Sequence, residues 1–221
     1  MTDLKAITIV LDSWWPILKA GLLLTIPMTL ASFFLGLIIA IITALARISR
    51  YKPLSKIAEG YVWIFRGTPL LVQLFIVFFG LPSLGIRLDA LPSAIIAFSL
   101  NIGAYCSETI RASILAINKG QWDAAFSLGM TKRQALRRII APQSLSIAVP
   151  PLSNSFISLV KDTSLAANIT IAEMFMTTQR IAARTYEPML LYCLAAVFYL
   201  AFSTVLTFAQ GKLETAMKRR S

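Results

Sequence analysis

The sequence predicts an all-α, polytopic membrane protein with five transmembrane helices, from its composition, the spacing of its apolar stretches and the placement of its charge. Of 221 residues, 57% are hydrophobic and 14% are charged, and the mean hydropathy is +0.73, which is too apolar for a soluble domain of this size. Five stretches reach the roughly 20 residues that a spanning helix needs: 22–46, 57–81, 91–117, 149–167 and 189–209. The net charge of +11 lies between these stretches and not on one soluble face, which argues against a nucleic-acid partner.

The N-terminal segment carries Asp3, Lys5 and Asp12 and lacks the pattern of a cleaved signal peptide, so the first span is expected to remain in the mature protein. A basic loop with Arg47, Arg50, Lys52 and Lys56 follows it. In the second span, Arg66-Gly67-Thr68-Pro69 predicts a broken helix, because glycine and proline interrupt the hydrogen-bond ladder and free backbone groups. The only sizeable stretch off the membrane is 118–146. There Ala124, Ala125 and Leu128, then Ala135, Leu136, Ile139 and Ile140, recur at helical spacing. Gly129 breaks that run and Pro142 is expected to end it, leaving two short helices joined at a glycine.

This stretch carries Lys119, Lys132, Arg133, Arg137 and Arg138, and the tail carries Lys212, Lys218, Arg219 and Arg220. With the first loop, both fall on the cytoplasmic side if the N-terminus is outside and the C-terminus inside. The outer loops, 82–90 and about 169–188, carry only Arg87, Arg180 and Arg184, partly balanced by Asp89, Glu173 and Glu187. Trp14, Trp15, Trp63 and Trp122 read as interfacial anchors. No repeat or linker divides the chain, so one membrane domain, 1–221, contains the cytoplasmic loop 118–146.

Catalytic chemistry is not indicated. The chain has no histidine, and Cys106 and Cys193 lie singly inside apolar stretches, so neither a catalytic residue nor a metal site is expected. The polar residues inside the spans are the informative ones, since an ionisable group at mid-depth costs about 2.5 to 3.5 kcal/mol and usually faces a cavity or a partner. At about 1.5 Å per residue, Arg66, Asn101, Lys161 and Asp162 all lie about 13 to 18 Å from a span end. They suggest a polar cavity near one level. Asn101, Tyr105 and Glu108 share one helix face, while Lys161 and Asp162 point about 100° apart. Glu108 has a second reading, an ion pair with Arg111, and Arg66 has one too, a fixed bridge to Asp162 or Glu108. Gln73, two turns beyond Arg66, reads as a gate or vestibule residue.

Gly120-Gln121-Trp122-Asp123-Ala124-Ala125-Phe126-Ser127-Leu128-Gly129, followed by Ile139 and Pro142, resembles the EAA loop of binding-protein-dependent ABC importer permeases. Asp123 stands where Glu is usual, and Ala141 where Leu is usual. Three further segments resemble the polar amino-acid branch of that family: 65–73, Ala104-Tyr105 with Glu108 and Arg111, and 154–165. The run from Pro150 to Ala167 looks most like the L-cystine permeases.

The resemblance implies a bacterial inner-membrane permease that pairs with a second, identical permease subunit and imports a small amino acid. Cytoplasmic ATPase subunits would hold the ATP and magnesium, and an extracytoplasmic binding protein would deliver the substrate. No cofactor is expected in this chain, which lacks a P-loop. Coupling to the ATPase would fall to Gln121, Asp123, Ala124, Ala125 and Gly129. The matched segments add Thr68, Asn154, Ser158, Thr163 and Ser164 to Arg66, Gln73, Asn101, Tyr105, Glu108, Lys161 and Asp162 as substrate-site candidates. Asp162 is the expected partner of the substrate ammonium, and Arg66 or Lys161 that of its carboxylate. An ion-gradient-driven secondary transporter would also carry mid-membrane charges, but it leaves the EAA-like loop unexplained.

Overall fold

The computed structural model describes residues 3–218, so Arg219 and Arg220 of the basic tail lie outside the described residues. All regular structure among these residues is helical. Helix α1 (Asp3–Ala20) runs through a π-helical turn (Gly21–Thr25) into α2 (Ile26–Ile48), and α3 (Lys52–Gly67) and α4 (Leu70–Phe75) follow. Then come α5 (Ala90–Leu115), α6 (Lys119–Ser127), α7 (Lys132–Ala135), α8 (Ala141–Asp162), α9 (Met174–Thr185) and α10 (Pro188–Lys218).

Three helices are long and apolar enough to cross a membrane: Lys5–Ile48, Ala90–Leu115 and Pro188–Ala216. The pair Lys52–Gly67 and Leu70–Leu84, bent by 106° at the predicted break, makes a fourth if it counts as one span. The expected fourth span, 149–167, differs more. Its helix starts earlier, at Ala141, and ends at Asp162, where a 3-10 turn (Thr163–Ile169) takes over. That helix is 22 residues long, yet Asn154, Ser158, Lys161 and Asp162 keep it out of the strongly apolar class. The first span is also longer than the expected 22–46, because the segment before it is helical too.

Proline placement explains two of these differences. Each π turn (Gly21–Thr25, Ile76–Gly80, Leu136–Ile140) ends two residues before a proline, at Pro27, Pro82 and Pro142. A proline has no N–H for the carbonyl four residues back and crowds it, and a wider turn relieves both conflicts without stopping the chain. Pro142 therefore does not end a helix. Leu136–Ile140 instead joins α7 to α8, so the second of the two expected short helices is the foot of α8.

Small buried residues recur four apart along the first long helix in two runs, Ser13, Gly21, Thr25 and Thr29 with the larger Ile17 between the first two, then Ser32, Gly36, Ala40 and Ala44. Its lower part, α2, lies against α5, and a methyl group on Gly36 would overlap Ile102 Cγ2, while one on Gly103 would come within 2.8 Å of Ile39 Cγ2. Two helices this close leave no room for a side chain. Gly36→Leu is expected to destabilise the protein by about 1–3 kcal/mol through overpacking. A lower thermal unfolding temperature in detergent would register it. Gly60→Ala, at a position with no neighbour within 4 Å, serves as the control that should not shift.

The upper part, α1, packs on α9 and α10, with Ile17, Met174, Ala182 and Leu191 buried together. Glu173, read from the sequence as loop charge, is fully buried there. Its carboxylate accepts from the N–H groups of Phe175 (2.9 Å) and Met176 (2.7 Å), capping α9, and from the Tyr199 hydroxyl (3.2 Å). Trp122, read from the sequence as an interfacial anchor, is half-buried. It packs against the cluster of Ile114, Ile117 and Ile140 that seats α6 on the end of α5.

Candidate functional site

The broken span is held by side-chain amides. Between Gly67 and Leu70 the backbone is extended at Thr68 and Pro69, so the last carbonyls of α3 lose their helical partners. Gln73, in the first turns of α4 and 6% exposed, folds back to fill that gap. Its Nε2 donates to the carbonyls of Phe65 (2.9 Å) and Thr68 (3.0 Å) and lies 2.9 Å from Thr68 Oγ1. Asn101 of α5 then donates from Nδ2 to Gln73 Oε1 (2.9 Å) and to Phe65 O (3.3 Å). The vestibule role expected of Gln73 gives way to a clasp across the break.

Beside this clasp lies a polar cavity of about 470 Å³, walled by the break, α5, α8 and the turn after it. Thr68, Asn101, Tyr105, Asn154, Ser158 and Asp162 all line it, six of the residues singled out from the sequence. Among the described residues, no hydrogen bond or ion pair occupies the Asp162 carboxylate, the Asn154 amide, the Ser158 or Tyr105 hydroxyl, or Asn101 Oδ1. Asp162 is also the last residue of α8, where the helix dipole is negative and disfavours an anion. Its carboxylate has no ion pair among the described residues, although the charge of the neighbouring Lys161 acts on it at longer range. Arg66, at the end of α3, stands over the Tyr105 ring with Cζ 5.3 Å from the centroid. It bridges neither to Asp162 nor to Glu108 and is not one of the residues that line the cavity; its link to the site is the Tyr105 ring, which does line it. A single carboxylate set among amide and hydroxyl groups in a space of this size suits a small polar ligand that carries an ammonium group.

The remaining candidates do not join this cavity. Glu108 forms ion pairs with both Arg111, three residues on, and Arg47 at the end of α2. The Arg111 pair was legible in the sequence, whereas Arg47 had been placed in the basic loop. Thr163 is fully buried, and its hydroxyl donates to the Val160 carbonyl at 2.7 Å. Lys161 and Ser164 face a second cavity, on the side of α8 turned toward α10. The divergence of about 100° between neighbouring helical residues thus sends Lys161 and Asp162 into separate spaces. Tyr61 was missed altogether. Its hydroxyl donates to the Leu100 carbonyl at 2.5 Å and ties α3 to α5.

In the loop, the Asn118 side chain caps α6 by accepting from the Gly120 N–H at 2.8 Å. Gly129 has φ +75°, and the Met130 N–H reaches the Ala125 carbonyl at 3.1 Å, which closes the helix with a left-handed turn. A capping box of Thr131 and Gln134 then starts α7. Ala125 is buried, but Gln121, Asp123, Ala124 and Gly129 are exposed, together with Phe126 and Leu128. Gln121 also accepts from Gln143 Nε2 at 3.2 Å, which braces the loop against α8. The result is a short, firmly capped helix with an apolar, exposed tip.

Comparison with known proteins places these features. Residues 32–219 match the family described as binding-protein-dependent transport system inner membrane component. The L-cystine transport system permease protein TcyB of Bacillus subtilis (strain 168) is 50% identical over 212 residues, covering 96% of this chain and 91% of the relative. The arginine transport system permease protein ArtQ of the same organism is 36% identical, covering 92% and 93%. Among solved structures, the crystal structure of an amino acid ABC transporter with histidines superposes with a TM-score of 0.86 at 32% identity, covering 96% of this chain and 97% of the other. An inward-facing MetNI methionine ABC transporter shares the fold, with a TM-score of 0.71 at 17% identity and the same coverage.

Proposed function

The chain belongs to the family of binding-protein-dependent transport system inner membrane components, and from that premise we propose that it is the permease subunit of an ATP-driven importer of L-cystine. The observation that carries the substrate class is the cavity beside the broken span, where the Asp162 carboxylate has no ion pair or hydrogen bond among the described residues and Arg66 stands over the lining residue Tyr105. The substrate ammonium binds Asp162, with Asn101 Oδ1 as a second acceptor. Its carboxylate binds Arg66, assisted by the hydroxyls of Ser158 and Tyr105. Asn154 and Thr68 complete the wall. The 50% identity to a cystine permease favours cystine over other polar amino acids.

In this reading α8 is a fifth span, tolerated in lipid because its polar residues face cavities, and the N-terminus lies outside. ATP and magnesium act on separate cytoplasmic ATPase subunits. Helix α6, with Asp123, Ala124 and the tip at Phe126 to Gly129, seats in a groove of the ATPase and passes its closure to α5 and α8. An extracytoplasmic binding protein supplies substrate from the opposite side, and a second copy of this chain completes the path.

Gly129 tests the coupling half of this proposal. At φ +75° a β-branched residue is strained, by about 1–2 kcal/mol for a left-handed conformation. Gly129→Val is expected to reopen the α6 turn, weaken ATPase co-purification and reduce transport, whereas Gly129→Asn should retain both. The proposal as a whole is tested by ATP-dependent uptake of labelled L-cystine into proteoliposomes holding the chain, its ATPase and its binding protein. Uptake that arginine, glutamine and histidine do not suppress supports it. Uptake of another amino acid would displace cystine, and uptake that followed an ion gradient and ignored ATP would overturn the importer reading.

A further inference from the structure

Building on the cystine-importer reading, we propose that one molecule of L-cystine lies across the axis between two copies of this chain, each copy holding one half of it in the cavity beside its broken span. The cavity is a cleft in the flank of the chain and not a closed chamber. Of its lining residues, Thr68, Tyr105, Asn154 and Ser158 are exposed, and so is Arg66, which stands over the Tyr105 ring.

This flank belongs to the membrane-spanning part of the molecule. Tyr105 lies in the span Ala90–Leu115, and Arg66 and Thr68 lie at the break between α3 and α4. Hydrocarbon offers no partner to a guanidinium, an amide or a hydroxyl, so polar groups at this depth face protein or water. The exposed part of α10 has the opposite character, with Leu200 67%, Val205 66% and Phe208 71% exposed. The chain thus presents one surface that suits lipid and one that has to be covered. A second copy related by a twofold axis sets the same surface against itself. It covers the polar cleft with the polar cleft of its partner, and the two cavities join across the axis.

The substrate has the matching symmetry. L-cystine carries two ammonium and two carboxylate groups, related by a twofold axis through its disulfide. Asp162 is the one carboxylate among the described residues that line the cleft, while Glu108 is paired with Arg47 and Arg111, and Glu173 caps α9. A single chain therefore matches one ammonium of cystine and leaves the other without an anion. Two chains supply two Asp162 carboxylates in the arrangement of the ligand. Half-cystines stand about 4.4–6.8 Å apart at Cα. An N–Cα bond of about 1.5 Å and a charge-assisted hydrogen bond of about 2.8 Å add to each end. The two carboxylates then lie within about 15 Å of each other across the axis.

The test is equilibrium binding of labelled L-cystine to the purified permease–ATPase complex in detergent, without nucleotide and without the binding protein, so that only permease sites are counted. Saturation at half a cystine per copy of this chain is expected. One cystine per copy, or no binding by a complex that takes up cystine, overturns the inference alone. Absence of ATP-dependent cystine uptake overturns the reading beneath it as well. Complexes of one parent copy and one Asp162→Asn copy, isolated through two affinity tags, give a second readout. A shared site predicts a Kd raised by about 30-fold or more with no site of parental affinity left, whereas two independent cavities would keep half of the sites at parental affinity. S-methyl-L-cysteine, a single zwitterion, should bind more weakly and reach one per copy, and an affinity equal to that of cystine would count against sharing. A purified complex that holds one copy of this chain beside a different permease would also overturn the inference.

Discussion

Replacing Asp162 by asparagine is expected to raise the apparent KM for ATP-dependent L-cystine uptake by about 30-fold or more. The estimate follows from removing one member of a desolvated charge pair, which costs about 2 kcal/mol at least, with each 1.4 kcal/mol worth tenfold. The carboxylate has no hydrogen bond among the described residues and sits at the unfavourable end of the α8 dipole. Neutralising it therefore relieves the empty protein, and Asp162→Asn should insert, fold and bind its ATPase at least as well as the parent. That split separates a ligand from a structural group. A variant with normal KM would remove Asp162 from the substrate site, and one that failed to accumulate in the membrane would make the carboxylate structural. Arg66→Gln should act in the same direction, because among the described residues its guanidinium is held only by the Tyr105 ring.

The parts of this site that were legible in the sequence are those fixed by local chemistry. Glycine at 67 and proline at 69, two residues apart, both weaken the helical ladder at one point, so the 106° bend was expected as a break, though not in its angle. Helical periodicity put Asn101 and Tyr105 on one face, and the same geometry parted Lys161 from Asp162. What escaped were pairings between residues far apart in the chain. Arg47 and Glu108 are 61 residues apart, and nothing near either one identifies the other. Glu173 resembled an outer-loop charge because its partners, Tyr199 and the first N–H groups of α9, assemble only once α1, α9 and α10 have packed. Helix α8 fell short as an apolar span for the reason that makes it useful: its polar residues are spent on two cavities.

Gln73, expected as a gate or vestibule residue, stands in the clasp across the break, and its replacement should have the second large effect. Gln73→Leu fits the apolar surroundings near Leu74 but leaves the Thr68 carbonyl without its amide donor, the Phe65 carbonyl with only the longer bond from Asn101, and Asn101 without its nearer acceptor. A buried polar group left unsatisfied costs about 1–3 kcal/mol, so the variant should lose about 2–4 kcal/mol of stability. Uptake should fall with it, because Thr68 and Asn101 line the substrate cavity from the clasp itself. Gln73→Glu is the sharper comparison. An ionised carboxylate keeps the acceptor for Asn101 but has no hydrogen to donate, and it would face two carbonyl oxygens. A clasp therefore predicts that Glu rescues neither stability nor uptake, whereas a gate residue in contact with solvent would accept Glu with its fold intact. Spin labels introduced at Ile64 and Ile76, both exposed and on opposite sides of the break, would report the same difference as a broadened distance distribution in both variants. An unchanged distribution would mean that the bend is held by packing alone, and Gln73 would return to the list of residues free to meet substrate.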